Sequence, residues 1–218
     1  MNKVLLCAAA VVIGYLLGSV SSGVIVSRLY GHMDIRTVGS GNVGMTNVMR
    51  TLGWVPSFIT FAGDALKGVL GAVIGKLLVG DLGMNLGGFA AVIGHNWPVF
   101  FSFKGGKGMS TTFGYLLIAD WRIAIILVAV QAVIVFVTGY MSAASITTAC
   151  ALPIMTFVMG GHSIAFKIVA TIAALLAVYQ HRSNIKRLIN GSENKLDAAK
   201  ISSVSSKMVQ SIKDRRNK

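Results

Sequence analysis

IAIILVAVQAVIVFVTGYMSAASITTACALPIMTFVMGGHSIAF, residues 123–166, contains no Asp, Glu, Lys or Arg. About 20 apolar residues cross a bilayer as a helix, so this run is long enough for two crossings. Gly139-Tyr140-Met141-Ser142 and Gly160-Gly161-His162 supply the connectors. Uncharged runs between Lys3 and Arg28 and between Asp81 and Lys104 repeat the pattern. Only 12% of the residues are charged and mean hydropathy is +0.72, whereas an average soluble domain is about 25% charged. The expected fold class is all-α, a polytopic integral membrane protein.

Outward from that run, membrane segments are expected at 4–27, 54–79, 84–101, 123–138, 143–159 and 163–180. Residues 109–120 form a shorter apolar stretch of ~18 Å at 1.5 Å per residue, too short to cross ~30 Å of hydrocarbon. The total is about seven transmembrane helices, the short ones read as re-entrant. The first segment reads as a retained helix, because it stays apolar past Gly23.

Charge orients the chain. The net charge is +13, and ten basic residues against Glu193, Asp197 and Asp214 lie between Arg182 and Lys218. With seven segments, this tail shares one side with Arg28, Arg36, Arg50, Lys104 and Lys107. The positive-inside rule then puts the C-terminus in the cytoplasm and the N-terminus outside. A basic end after the last span fits anionic headgroups better than nucleic acid. Residues 1–195 are expected to form a single membrane-embedded domain and 196–218 a mobile basic cytoplasmic tail. Cys7 and Cys150 fall inside apolar spans with no metal-ligand spacing.

Three polar segments land on the cytoplasmic side. Gly39-Ser40-Gly41-Asn42-Val43-Gly44-Met45-Thr46-Asn47, followed by Arg50, reads as a loop. Phe103-Lys104-Gly105-Gly106-Lys107-Gly108 follows Gly94-His95-Asn96-Trp97-Pro98. Glycines there admit close backbone approach and an amide cradle for anions, and lysine suits phosphate. The third segment is His181-Arg182-Ser183-Asn184-Ile185-Lys186-Arg187-Leu188, expected to project His181 and Asn184 from one helix face. Asp64 and Lys67, spaced i, i+3 inside a span, can pair. Charge at that depth usually marks function.

Ser40, Asn42, Thr46, Asn47, Arg50, Lys104, Lys107, His181 and Asn184 suit phosphate and hydroxyl groups. They include no carboxylate dyad, no His/Cys metal set and no nucleophile elbow. Chemistry on such a site would use an activated substrate, positioned and electrostatically stabilised. Two other classes stay open on these residues. A transporter of phosphorylated solutes suits the intramembrane charges, although no internal repeat is visible. A non-catalytic lipid-binding scaffold has no use for so many polar motifs on one side.

The motifs, taken in order, resemble those of the bacterial acyl-phosphate:glycerol-3-phosphate acyltransferases. The resemblance rests on Asp34-Ile35-Arg36, residues 39–50, Asp64-x-x-Lys67-Gly68 and Gly94-His95-x-x-Pro98 running into 103–108. It continues through His181-x-x-Asn184-Ile185-x-Arg187-Leu188-x-x-Gly191-x-Glu193-x-Lys195. Val43, Met45, Met109 and Ser110 depart from the family's usual residues, while the polar and glycine positions are kept.

The resemblance implies a multi-pass enzyme of the bacterial cell membrane with its site facing the cytoplasm. It would pass an acyl group from acyl phosphate to the 1-hydroxyl of glycerol 3-phosphate, as a monomer, without cofactor or metal and without nucleic acid. Ser40, Arg50, Lys107, His181 and Asn184 would be the catalytic residues. Arg36, Gly41, Asn42, Thr46, Asn47, Lys67, Lys104, Gly105, Gly106 and Gly108 would bind substrate.

Overall fold

The computed structural model describes residues 2–216, and among them there is helix but no strand. The chain divides into two compact units, Met1–Val20 with Asp64–Lys195, and Ser21–Gly63 with Leu196–Lys218. The expected division is a single domain over 1–195 followed by a tail at 196–218. Lys218 of that tail lies outside the described residues.

In the first unit, α1 (Lys3–Gly18) packs on the return limb of α4 (Trp54–Asn96). The sequence allows this because both helices present glycine or alanine at the contact. A Cβ on Gly14 would lie 2.3 Å from the Gly87 carbonyl oxygen, and one on Gly18 would lie 2.1 Å from that of Ala91. Apolar burial gives no driving force between helices in lipid, so such backbone approach is what lets dispersion hold them. The long helix α4 doubles back at Val79 and Gly80, where Gly80 has φ +66°. A left-handed residue there costs glycine nothing. Below the turn the limbs again meet glycine to glycine, Gly75 against Gly83 and Gly71 against Gly87. The two expected spans 54–79 and 84–101 are thus the limbs of one helical hairpin.

Helices α5 (Met109–Ala119), α6 (Trp121–Thr138), α7 (Met141–Val158) and α8 (Ile164–Gln180) follow as successive neighbours. Their core gathers Tyr115, Leu116, Ile123, Leu152 and Phe166. The outward faces are as apolar as the core: Phe136 is 91% exposed and Val158 79%. Large exposed apolar faces signal a nonaqueous partner, which a bilayer supplies along the length of these helices.

At one end of the unit the Asp120 carboxylate caps α6, binds Arg122, and lies 2.8 Å from His162 Nε2. This ties the α5–α6 junction to the α7–α8 connector. Arg122 and His162 hold the Asp120 carboxyl well below the usual carboxylate range. At the other end α9 (Arg182–Ile189) leaves α8 at 56°.

Among the described residues, four helical stretches are long and apolar enough to cross a membrane: Lys3–Gly31, Trp54–Phe101, Trp121–Thr138 and Met141–Val158. Counting bent α8 with α9 makes a fifth. The lower number than seven has two sources: the two limbs of the α4 hairpin form one continuous stretch in that count, and α5 is short.

The second unit holds α2 (Ser22–Gly31), a single 3-10 turn at Ile35–Thr37, α3 (Met45–Leu52), the start of α4, and α10 (Ala198–Arg216). The loop read at 39–47 closes at Gly44, and α3 begins at Met45. The segment expected to be a mobile tail contains α10, which packs on α3 with Ile201 buried.

Candidate active site

The glycine–lysine loop belongs to the first unit. After Pro98 the chain makes a 3-10 turn, and Ser102 and Phe103 take φ of +56° and +57°. The loop then folds back on the end of α4, where the Gly106 N–H donates to the His95 carbonyl at 3.0 Å. A Cβ on Gly105 would lie 2.0 Å from that oxygen, and one on Gly106 would lie 2.1 Å from His95 Nε2. No other residue fits at either position.

Beneath the loop, buried Lys67 donates to the Val20 carbonyl and pairs with Asp64, each at 2.9 Å. His95 Nδ1 lies 3.5 Å from the same Asp64 oxygen. Lys67, expected to bind substrate, is 5% exposed and supports the loop's floor. Beside Gly108, the buried Asn96 amide has neither its donor nor its acceptor satisfied, and the buried Thr111 hydroxyl is likewise unpartnered. Unsatisfied buried polar groups are rare and call for an explanation. Sequence reasoning passed over both residues, and only burial marks them.

Lys107 and Lys104 part company here. Lys107 donates to Asn184 Oδ1, while Lys104 is exposed. Asn184 Nδ2 in turn donates to Glu193 Oε1 at 2.8 Å. Glu193 also accepts from Ser142 Oγ at 2.9 Å and from Arg187 Nε at 2.7 Å. Burial works to raise the Glu193 carboxyl, but hydrogen bonds from Asn184, Arg187 and Ser142 outweigh it and leave it low. This buried carboxylate was not among the expected site residues, although it stands in the motif running from His181 to Lys195. Its place in a basic stretch hid it.

His181 is the N-cap residue of α9, three positions before Asn184, and both side chains are buried. It sits at the bend between α8 and α9, with Nδ1 2.7 Å from the Ala177 carbonyl. A carbonyl only accepts, so Nδ1 carries the proton and Nε2 presents a lone pair. Burial, and then the charge of Lys107, push the imidazole down to about 4. In an NMR titration of histidine-labelled protein, His181 is therefore expected to stay neutral through pH 6.5 and protonate near pH 4. A midpoint between 6 and 7 overturns the burial argument. The sign for stability follows: the unfolded chain binds the proton first, so His181's contribution is complete above about 6.5 and lost as pH falls towards 4.

The second unit holds the remaining expected residues. Buried Asn47 is the hub of its loop: Nδ2 donates to the carbonyls of Ile35, Val38 and Asn42, and Oδ1 accepts from the Ser40 N–H. Asn42 Oδ1 accepts from the Gly44 N–H at 2.9 Å. Asn47 therefore shapes the loop, while Ser40 is exposed at its tip and Gly41 has φ +72°. Arg36 forks onto Asp34, at 2.6 Å from Nη2. Arg36 holds the Asp34 carboxyl down at about 2. Thr46 and Arg50, one turn apart on α3 and both half-buried, lie on the arc between buried Met49 and buried Asn47.

Among the described residues no cluster of three or more His, Cys, Asp or Glu side chains could hold a metal. An apolar groove runs between α5, α6, α7 and α8, past Met109, Phe113, Leu127, Leu152 and Ala177. Met109 directly follows the glycine–lysine loop, and Ala177 is the residue that holds His181. Fixed cations, free amides, a neutral imidazole and an apolar groove suit an amphipathic, phosphorylated substrate.

The model of the family described as glycerol-3-phosphate acyltransferase matches residues 8–191. A glycerol-3-phosphate acyltransferase of Thermoanaerobacter sp. (strain X514) is 41% identical over 185 residues, 85% of this chain and 93% of that protein. Among solved structures, the glycerol 3-phosphate form of PlsY (YgiH), an integral membrane glycerol 3-phosphate acyltransferase, aligns with a TM-score of 0.84 at 36% identity. That alignment covers 89% of this chain and 98% of that one. Its lysophosphatidic acid form aligns with a TM-score of 0.82 at 34% identity, covering 89% and 97%. With family, fold and polar clusters in agreement, this chain belongs to the glycerol-3-phosphate acyltransferases and is an integral membrane acyltransferase.

Proposed function

We propose that the acyl donor is acyl phosphate and the product 1-acyl-glycerol 3-phosphate, released with inorganic phosphate at the start of phospholipid synthesis. The 1-hydroxyl oxygen of glycerol 3-phosphate bonds to the acyl carbon, the acyl–phosphate bond breaks, and the hydroxyl proton passes to the leaving phosphate. The observation that carries this reading is the Lys107–Asn184–Glu193 chain beside the glycine amides. It fixes a cation, and the carboxylate at its end is taken up by Ser142, Asn184 and Arg187.

Glu193 is occupied by three donors, and His181, held down at about 4, is too weak a base to take the proton. A phosphate, with a second pKa of about 6, is the better acceptor. An acyl phosphate already carries a good leaving group, so positioning and charge stabilisation suffice. In the first unit we assign the loop of Gly105, Gly106 and Gly108 to the acyl phosphate; in the second unit Ser40, Gly41, Asn42 and Thr46 are candidates for contact with a substrate phosphate. Lys107 and Asn184 go to glycerol 3-phosphate, with His181 Nε2 accepting from its hydroxyl, and in the second unit Arg50 is a candidate for contact with a substrate phosphate. Asn96 is an added candidate on the strength of its unpartnered amide. The apolar groove seats the acyl chain. Arg36, Asn47 and Lys67 act as supports for these residues, and Lys104 adds charge at the loop's edge.

The protein would act as a monomer in the bacterial cell membrane, with seven segments, the N-terminus outside and the site and C-terminus on the cytoplasmic side. The bias of Lys and Arg between loops supports this orientation. Asp64 and Lys67, which would have suited a transporter, neutralise each other in the first unit.

The test uses purified protein with palmitoyl phosphate and glycerol 3-phosphate, followed by phosphate release. Release that needs both substrates and is lost in a Ser40→Ala/Lys107→Ala double variant is expected. Activity with acyl-CoA alone overturns the choice of donor.

A further inference from the structure

Helix α10 lies beyond Gly191, where the family match stops. It is nonetheless built into the second unit. The Asp197 carboxylate accepts from the Lys200 N–H at 3.0 Å, as an N-cap does. One turn in, Ile201 is 2% exposed. A further turn on, Ser205 Oγ accepts from the Trp54 N–H at 3.1 Å and donates back to the Ile201 carbonyl at 2.9 Å. The Trp54 N–H opens α4 and has no partner within its own helix, so α10 supplies a cap from outside.

The point of contact is the junction that ends α3. Gly53 has φ +89° and ψ −169°, and a Cβ there would lie 2.3 Å from Ser205 Oγ. Helix α3 has eight residues, begins at Gly44 without a side-chain cap, and ends at Gly53. Isolated helices shorter than about 12–15 residues are marginal, so the place of α3 depends on what packs against it. Its neighbours by contact are α2 and α10. Thr46, Asn47 and Arg50 all lie on α3.

We propose that α10 is a positioning element for acyl transfer: docked on α3 through Ile201 and Ser205, it fixes the helix that carries Thr46 and Arg50. The inference rests on the transferase reading above, in which those two residues contact substrate. Exchange of ester and phosphate bonds is untouched by α10 itself. Its effect passes through geometry, where displacement of a positioned group by about 1 Å can cost about 100-fold in rate.

The experiment uses the full chain with Ser205→Ala, Ile201→Ala and the conservative Ile201→Val. Steady-state rates and amide hydrogen exchange over residues 45–52 are measured together in one detergent. Ser205→Ala and Ile201→Ala are expected to speed exchange in α3 and to lower kcat by about tenfold, with Ile201→Val close to the parent in both. Unchanged rates with either alanine variant overturn the proposal. So does a fall in rate without faster exchange in α3, since the effect then travels elsewhere. Should Ile201→Ala fail to fold, Ser205→Ala decides the matter alone, as it removes only a hydroxyl. The exchange result does not depend on the acyl donor, so a parent protein inactive with acyl phosphate counts against the function and not against the docking.

Discussion

Lys107→Ala lowers kcat/KM for acyl transfer by about 10²–10³-fold, the usual loss when one preorganised charge donor is removed from a transition state. The size of the effect follows from how the ammonium is held. A lysine on an exposed loop spends its time in water and contributes little at any one point. Lys107 is bound to Asn184 Oδ1, Asn184 to Glu193, and Glu193 is anchored by Ser142 and Arg187. On the proposed reading the charge would be in place before the acyl–phosphate bond begins to break, with no reorganisation needed when negative charge builds on the leaving group.

Lys104, three residues earlier and exposed, has no such anchor. Lys104→Ala is expected to cost less than about tenfold, mostly in KM, as loss of a screened charge does. Steady-state kinetics on the two variants separates them. Equal losses, or a Lys107→Ala loss below tenfold, would show that the network does not set the reactive cation.

Much of this arrangement could be read from the chain, and the parts that could not share a cause. Membrane segments were legible because runs without charge have one physical meaning over twenty residues. The turn at Gly80 fell where two expected spans met, because glycine is the residue that passes into the left-handed region. Lys107, His181 and Asn184 were legible as a set because polar residues between apolar spans have few structural reasons to be there.

What sequence could not give was the division of labour among polar residues. Asn47 looks like Asn42, yet one is a buried hub and the other lies half-buried in the loop it shapes. Arg36 looks like Arg50 until Asp34 is found forked onto it. Glu193 sits among basic residues, where a carboxylate is usually a solvated counter-charge. Its burial depends on Ser142, which is far away in sequence. Helix α10 was hidden by composition: a serine- and lysine-rich stretch lacks the apolar weight to fold alone, and it orders here by docking on α3.

Breaking the buried pair Asp64–Lys67 from either side destabilises the protein by about 3–5 kcal/mol, because one partner is left as an uncompensated charge away from water. Both side chains are almost wholly buried and lie 2.9 Å apart. After Asp64→Leu, Lys67 retains only the Val20 carbonyl as an acceptor. After Lys67→Met, the Asp64 carboxylate faces only the more distant His95. The double variant Asp64→Leu/Lys67→Met removes both charges and is expected to regain most of the loss, since a packed apolar pair often matches a buried ion pair. Thermal unfolding in detergent reads this directly. Single variants within about 1 kcal/mol of the parent, or a double variant as damaged as the singles, would refute it.

Stability alone then fails to explain why the pair is there, and the loop above it supplies a reason. His95 Nδ1 faces Asp64, and His95 Nε2 and carbonyl press on Gly106 and Gly105. In the double variant the imidazole loses the carboxylate that fixes its orientation. Turnover should fall even where the fold is recovered, because the glycine–lysine loop that delivers Lys107 rests on that ring.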